Sequence, residues 1–556
     1  MRELPAFQNQ QTLNLEDEEY QTVTEGRIRI RIGVAAFIFM LLIAIVRLAE
    51  ISLFSSNEHQ QKLPQAIKIK RADLTDRNGE LLATTLETYS LYAEPRRVWN
   101  SRETADALVK LRPHLNREDI QQKLEMDRSF VWLERGLTPK ARQAVFGLGL
   151  PGLAFRKEPK RAYPRENLAS HLVGFTNLDM VGVAGAERAF NSDLMTDDAP
   201  AVALSLDLRV QFALADELAK AHEAFKALDA SGVVMDMRTG EIIAMASVPN
   251  FNPNDPDTTM PETLFNHAAM STYELGSVFK PLTMAMALED GVVDKTEMFE
   301  VQKPFKVRNK FIRDDHSSKV PLNITGILAE SSNRGTAMIA QRIGAERQRG
   351  HLRNLGLLTR VDYELAESAK PQVQKHWGEM ATVTVSYGHG LSVTPLALIA
   401  AISGMLNDGV YVTPMVRKHS VVSPAVGRRV FRSAVSQDMR DMMRFAVTDG
   451  TGRKANIPGY GVMGKTGTAE KPSEDGGYDQ SRLVTSFVAA FPHSSPRYAM
   501  IITLDEPKGT EATRGNAGAG WNAAPVAGQV IRRIGPILPG ARDNSQLAGV
   551  GMMVTP

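Results

Sequence analysis

The residues Ser277-Val278-Phe279-Lys280-Pro281 place a hydroxyl and an amine three positions apart, at the head of an apolar run that ends at Leu288. Proline has no backbone N–H and its ring clashes with a preceding helical turn, so Pro281 predicts a helix start beside Ser277. A helix start carries unpaired N–H groups and the positive end of the macrodipole. That suits a hydroxyl that passes through an alkoxide and then has to bind an oxyanion. Residues three apart share a helix face. A lysine held in a desolvated pocket, or near a second cation, loses basicity and can take a proton from such a hydroxyl. Ser277 and Lys280 therefore read as a nucleophile and its activator.

Alone the pair is a weak signal, because Ser-x-x-Lys arises by chance roughly once or twice in a chain of this length. Two later stretches strengthen it. Ser331-Ser332-Asn333 supplies Ser-x-Asn, and Gly464-Lys465-Thr466-Gly467-Thr468-Ala469 supplies Lys-Thr-Gly, in that order. A Lys-Thr-Gly is found by chance in about one such chain in ten. The three motifs together resemble the signature of penicillin-binding proteins and serine β-lactamases.

Elements must bring these distant motifs together. Residues 208–224 predict an amphipathic helix with Val210, Phe212, Ala213, Leu214 and Leu218 available for packing. Residues 232–237 and 241–247, around Arg238-Thr239-Gly240, read as an antiparallel hairpin, and residues 483–491 and 498–504 as two further strands. Residues 465–469 are short, β-branched and bounded by glycine, so they begin or lie on a strand of the same sheet. Between the outer strands the pattern is helical. Thr394-Pro395, with the run to Leu406 and then Gly409, has an N-cap, a first-turn proline and a terminating glycine. The order of strands, helices, then strands predicts an α+β domain over residues 201–538: an antiparallel sheet closed by its first and last segments, with a helical subdomain inserted. The motifs would line the crevice between them.

The chain has 556 residues, 43% of them hydrophobic, with 65 basic against 63 acidic side chains, which fits two or three domains and gives no reason to expect nucleic acid. Cysteine is absent, so disulfides and cysteine-ligated metals are excluded. Residues 1–26 are polar and read as a tail. Arg27, Arg29 and Arg31 lead into an uncharged run over 32–46, and extension to 54, across Arg47 and Glu50, reaches spanning length. Residues 27–54 are thus expected to be an uncleaved membrane anchor. The acidic leader and the lack of an A-x-A site argue against a cleaved signal peptide. Lys62, Lys68, Lys70 and Arg71 follow the run, so charge bias does not orient it. Residues 55–200 read as a non-catalytic support domain, with an Asn78-Gly79 hairpin turn near its start. Arg161, His171, Gly182, Gly185 and Glu187 have no nucleophile-and-base spacing and read as turns and buried ion pairs. Residues 539–556 read as a flexible tail.

From Arg27 to about Arg533 the chain resembles the class B penicillin-binding proteins of the division-specific type. The resemblance is carried by the three motifs, the anchor, the segment Arg71 to Ala83, Arg161-Ala162-Tyr163-Pro164 with His171-Leu172-Val173-Gly174-Phe175, Gly452, and Ala523-Ala524-Pro525-Val526. Val278 and Arg334 stand where other residues are frequent in that family. The resemblance implies a pedestal domain with a structural role for Arg71, Arg161 and Glu187, and a domain of β-lactamase/DD-peptidase-like fold. It implies a serine D,D-transpeptidase in which Ser277 attacks the D-Ala-D-Ala carbonyl of a peptidoglycan stem peptide and Lys280 takes the proton, directly or through Ser331. Ser331 and Asn333 would relay a proton and orient the substrate amide. Lys465 would keep Lys280 neutral and attract the substrate carboxylate, and Thr466, Gly467 and Thr468 would bind substrate. The backbone N–H groups of Ser277 and Thr468 would form an oxyanion hole.

No metal or cofactor is implied. Implied partners are β-lactams as covalent inhibitors, the membrane, and division proteins including a septal glycosyltransferase. The implied location is the bacterial inner membrane, single-pass, with a periplasmic catalytic domain. Three further features have blander readings: His389 between two glycines as a turn, Asp314-Asp315-His316 as a solvated loop, and Met439, Met442, Met443 and Phe445 as core. The rival activities are an elongation-specific transpeptidase, a serine β-lactamase or sensor, a D,D-carboxypeptidase and an inactive division scaffold.

Overall fold

The computed structural model describes residues 32–46, 71–256, 260–316, 318–419, 427–473 and 476–543. The chain forms two units, residues 1–69 and 70–556. In the first, residues 32–46 are helical with exposed side chains. Among the described residues no helix is long and apolar enough to cross a membrane. The predicted tail at 1–26, residues 544–556 of the tail predicted at 539–556, the flanks of the predicted anchor at 27–31 and 47–54, and residues 55–70 lie outside the described residues. Residues 539–543 are not a loose tail, because Ala541 and Asp543 are buried and the Pro539 carbonyl accepts from the Tyr498 hydroxyl at 2.8 Å.

The second unit begins with a mixed sheet. Its long strand β2 (Leu81–Ala93) pairs with β1 (Leu74–Thr75), β3 (Val131–Leu137) and β4 (Leu153–Ala162), and β5 (Val202–Ala203) adds in parallel to β1. The turn between β1 and β2 forms at Asn78-Gly79, as the sequence predicts. Gly79 has φ 89°, which glycine adopts without steric cost, and the Asp76 carboxylate accepts from the backbone N–H groups of Asn78 and Glu80 at 2.7 and 2.9 Å. Behind this sheet the Glu187 carboxylate is clasped by two guanidiniums, Arg71 Nε at 2.5 Å and Arg161 Nε at 2.6 Å, with all three side chains buried. Arg71 also donates to the carbonyls of Met180 and Glu187. Buried charges persist where geometry and hydrogen bonds satisfy them, and this clasp ties residues far apart in the chain.

The second sheet is antiparallel throughout, in the order β8 (Met463–Pro472), β9 (Tyr478–Phe491), β10 (Tyr498–Asp505), β6 (Asp229–Asp236), β7 (Ile242–Val248). Sequence-distant strands pair in its middle: Tyr498 opposes Asp236 and Asp505 opposes Asp229. On one face, α1 (Leu208–Phe225) and α7 (Ala523–Ile534) cover the sheet with an apolar layer that includes Leu214, Phe487, Met500 and Val530. On the other face lies the helical insert: α2 (Lys280–Glu289), α3 (Ile324–Glu330), α4 (Asn333–Ile343), α5 (Pro395–Leu406) and α6 (Ser433–Thr448). Thr394 caps α5 by accepting from the Ala397 N–H at 3.1 Å. The α+β architecture expected from the sequence is the one observed.

Two packing expectations need correction. Phe212 is 56% exposed, and the Arg533 guanidinium lies over its ring at 5.7 Å. It sits on the α1 flank away from the sheet, where helical periodicity alone does not separate flank from face. Phe445 is 42% exposed although Met439, Met442 and Met443 on the same helix are buried.

Candidate active site

A short 3-10 turn, Gly276–Phe279, runs straight into α2, with Pro281 in the helix's first turn. Ser277 is half-buried, while Gly276, Val278, Phe279 and Lys280 around it are buried. Among the described residues its hydroxyl has no hydrogen-bond partner, and the Lys280 amine bonds to Ser331 instead. Three glycines let other segments reach this turn. Gly276 has φ 60°, and a Cβ there would lie 2.8 Å from the Thr468 carbonyl. A Cβ on Gly388 would lie 2.1 Å from the Gly276 carbonyl, and one on Gly467 would lie 2.5 Å from that of Leu275. The strand bearing Lys-Thr-Gly is thereby pressed against the serine turn. That strand is at the sheet edge, so every second backbone N–H faces the crevice and not a neighbouring strand.

Ser331 stands between two helices. It ends α3 in the left-handed region, φ 62°, and Ser332 then caps α4. For a residue with a Cβ this conformation costs about 1–2 kcal/mol, held in place by the helices on either side. It turns the Ser331 hydroxyl towards both lysines: Lys280 Nζ lies 3.1 Å and Lys465 Nζ 3.0 Å from Oγ. Lys280 Nζ also donates to the Ser331 carbonyl, and Lys465 Nζ to the Thr466 carbonyl at 3.0 Å.

Both lysines are 0% exposed. Burial brings the Lys280 ammonium down to about 7, against the opposing pull of the Asp314 and Asp315 carboxylates. Burial also takes Lys465 well below the usual lysine value, and the Lys280 charge adds to the fall. Desolvation alone lowers Lys280, and the effect between the two lysines falls on Lys465 and not, as expected from the sequence, on Lys280.

The sequence-predicted groups are gathered here with differing exposure. Asn333 opens α4, its amide donating to the Arg313 carbonyl at 3.0 Å. Thr466 is buried and its hydroxyl meets that of Thr451 at 2.6 Å. Thr468 is exposed and its hydroxyl accepts from the Ala519 N–H at 3.1 Å. Arg71, Arg161 and Glu187 are not in this crevice but in the first sheet's support. Among the described residues no cluster of histidines and carboxylates could hold a metal.

Other residues contribute contacts that the sequence reading did not assign. Asp314 accepts from Ser332 Oγ and the Arg334 N–H, both at 2.9 Å, which anchors the start of α4 with a negative charge at its N-terminus. Its neighbours Asp315 and His316 are exposed, as the loop reading expects. His389 lies in a turn between Gly388 and Gly390, φ 85° and 80°, its ring edge-on to Tyr478 at 5.3 Å. Glu274 accepts from the Gly390 N–H at 2.8 Å and from the Tyr478 hydroxyl at 2.9 Å, joining three segments at the crevice mouth.

Comparison with known proteins agrees with this geometry. Residues 230–532 match the penicillin-binding protein transpeptidase domain, and residues 66–199 the penicillin-binding protein dimerisation domain. The chain is 40% identical to the probable peptidoglycan D,D-transpeptidase FtsI of Caulobacter vibrioides, over 90% of this chain and 86% of that one. It is 33% identical to the probable peptidoglycan D,D-transpeptidase PenA of Neisseria gonorrhoeae, over 80% and 81%. It is 30% identical to the peptidoglycan D,D-transpeptidase FtsI of Escherichia coli K12, over 84% and 83%. Penicillin-binding protein 3 of Mycobacterium tuberculosis, solved in complex with aztreonam, superposes with a TM-score of 0.66 at 25% identity, over 83% of this chain and 96% of that one. With both family domains in order and the Ser-x-x-Lys, Ser-x-Asn and Lys-Thr-Gly motifs meeting in one crevice, the chain belongs to the division-specific class B penicillin-binding proteins.

Proposed function

We propose that this protein is the septal peptidoglycan D,D-transpeptidase of its cell, with residues 201–538 as the catalytic domain and 55–200 as the pedestal. The observation that carries the reading is the convergence of two buried lysine amines on one hydroxyl, Ser331 Oγ, beside the half-buried Ser277. Ser277 is the nucleophile. Neutral Lys280 accepts its proton as Oγ attacks the D-Ala-D-Ala carbonyl, and Ser331 passes that proton to the departing D-Ala amine. The acyl-enzyme is then consumed by a side-chain amine of a neighbouring stem, which regenerates the Ser277 hydroxyl. Asn333 orients the stem amide. The backbone N–H groups of Ser277 and Thr468 receive the oxyanion, each donor lowering the barrier by about 3 kcal/mol. Lys465, backed by Thr466, and the exposed Thr468 hydroxyl receive the substrate carboxylate, and Gly467 allows the close approach.

The same reading places residues 27–54 as a single membrane anchor with everything from Asn57 onward in the periplasm, where cross-linking takes place. It makes β-lactams covalent inhibitors, and the pedestal and anchor the contacts for other division proteins, a septal glycosyltransferase among them.

The test is acylation of the purified protein by a fluorescent penicillin. Label absent from Ser277→Ala and persistent for many minutes in the wild type supports the reading. Rapid loss of label points to a β-lactamase, and no label on the wild type points to a scaffold.

A further inference from the structure

The hydroxyls around Lys465 form an unbroken chain from the buried lysines to the surface. Lys280 Nζ lies 3.1 Å from Ser331 Oγ, Ser331 Oγ 3.0 Å from Lys465 Nζ, Lys465 Nζ 3.4 Å from Thr466 Oγ1, and Thr466 Oγ1 2.6 Å from Thr451 Oγ1. Thr451 itself is exposed, in the turn that follows α6. Glycines hold that turn close to the site: a Cβ on Gly450 would lie 2.7 Å from the Ala329 carbonyl, just before Ser331, and one on Gly520 would lie 3.4 Å from the Thr451 carbonyl.

Proton counting gives the last hydroxyl a task. A charged Lys465 has three N–H groups and three acceptors around it: Ser331 Oγ, the Thr466 carbonyl and Thr466 Oγ1. In that state the Thr466 hydroxyl proton points away from the lysine, and Thr451 Oγ1 is there to accept it. A neutral Lys465 has two N–H groups and a lone pair. A hydroxyl must donate into that lone pair, and when Thr466 does so, Thr451 donates to Thr466 in turn. A hydroxyl at position 451 serves both states, whereas a hydrocarbon there leaves the charged state without an acceptor for Thr466.

We propose that Thr451 is a positioning residue of the active site, its hydroxyl setting the direction of the chain through Thr466 and so how firmly Lys465 keeps the charge that draws in the substrate carboxylate. This rests on the transpeptidase reading above. The other ionisable groups facing the lysine pair are Asp314 and Asp315 from the loop before α3, and His389 from the turn before α5. All three are unchanged by substitution at 451.

The experiment compares wild type, Thr451→Val and Thr451→Ser in the rate of acylation by fluorescent penicillin between pH 5.5 and 10, with a thermal melt of each. Valine keeps the branched shape and removes the hydroxyl, and serine keeps the hydroxyl. Expected for Thr451→Val is that the limb on which acylation falls as Lys465 loses its proton moves to lower pH by about half to one unit, the size of one neutral hydrogen bond, with melting unchanged. Thr451→Ser is expected to restore the wild-type profile. A wild-type profile in Thr451→Val overturns the inference, as does a shift that serine leaves in place. If valine lowers the melting temperature, the serine profile still decides: a hydroxyl that fails to restore the limb overturns the proposal. A wild type that takes no label overturns the transpeptidase reading itself, and this inference with it.

Discussion

At the scale of single residues the chemistry turns on where the protons sit. Lys280 has to be neutral to take the Ser277 proton, and burial sets its value at about 7. Acylation by penicillin is therefore expected to rise with pH on an ascending limb centred near 7, read from labelling rates. Asp315 pulls that value upwards from an exposed position, so Asp315→Asn disfavours the charged lysine. The limb then moves to lower pH by about a few tenths of a unit, and movement to higher pH contradicts the assignment. Stability follows the same proton. The folded value lies below the ordinary lysine value of 10.5, so between about 7 and 10.5 the unfolded chain binds the proton and the folded chain does not. Stability gains from this group as pH rises through that window, and below it there is no slope from it. The melting temperature is expected to gain less between pH 7 and 9.5 in Lys280→Met than in the wild type.

At the scale of elements, glycines decide how closely three segments can meet. Gly388 combines φ 85° with a carbonyl 2.1 Å from where its Cβ would stand, while Gly79, at φ 89°, has nothing within 4 Å. Gly388→Ala is expected to cost about 2–5 kcal/mol, from left-handed strain and overpacking together, and to reduce acylation by displacing Gly276. Gly79→Ala costs only the strain, about 1–2 kcal/mol, and leaves acylation alone. Urea denaturation of the two variants makes the comparison, and equal losses would contradict it. The Asn78-Gly79 turn was legible because Asn-Gly between apolar pieces has one favoured geometry. The Gly388 turn was legible only as a turn. What presses on it comes from residues more than a hundred positions earlier, and periodicity carries no such information.

At the scale of the whole molecule, the Glu187 clasp ties the first sheet to its support outside the crevice. Glu187→Ala leaves Arg71 and Arg161 buried without a counter-charge, so it is expected to destabilise the protein by about 3–5 kcal/mol. Labelling per folded molecule is expected to stay near wild type. Unfolding curves paired with active-fraction labelling check both parts, and a fall in labelling of folded protein would mean that the support domain acts on the catalytic one. Contacts between the two do exist: Arg77 pairs with Glu241 at 3.0 Å, and the Asn254 side chain brackets the backbone of Tyr163.

The sequence by itself determined the three motifs, the helix start at Pro281, the sheet built from both ends of the domain and the helical insert between, because each rests on local chemistry or periodicity. Tertiary structure decided the rest. Serine 331 became the meeting point of two lysines only because α3 ends in a left-handed turn facing an edge strand that enters the chain much later. Burial of both amines, which lowers their basicity, is a property of the packed crevice and not of any stretch of residues. Asp314 and Thr451 gained their partners the same way, since a carboxylate or hydroxyl in a loop has no defined neighbour until the helices around it pack.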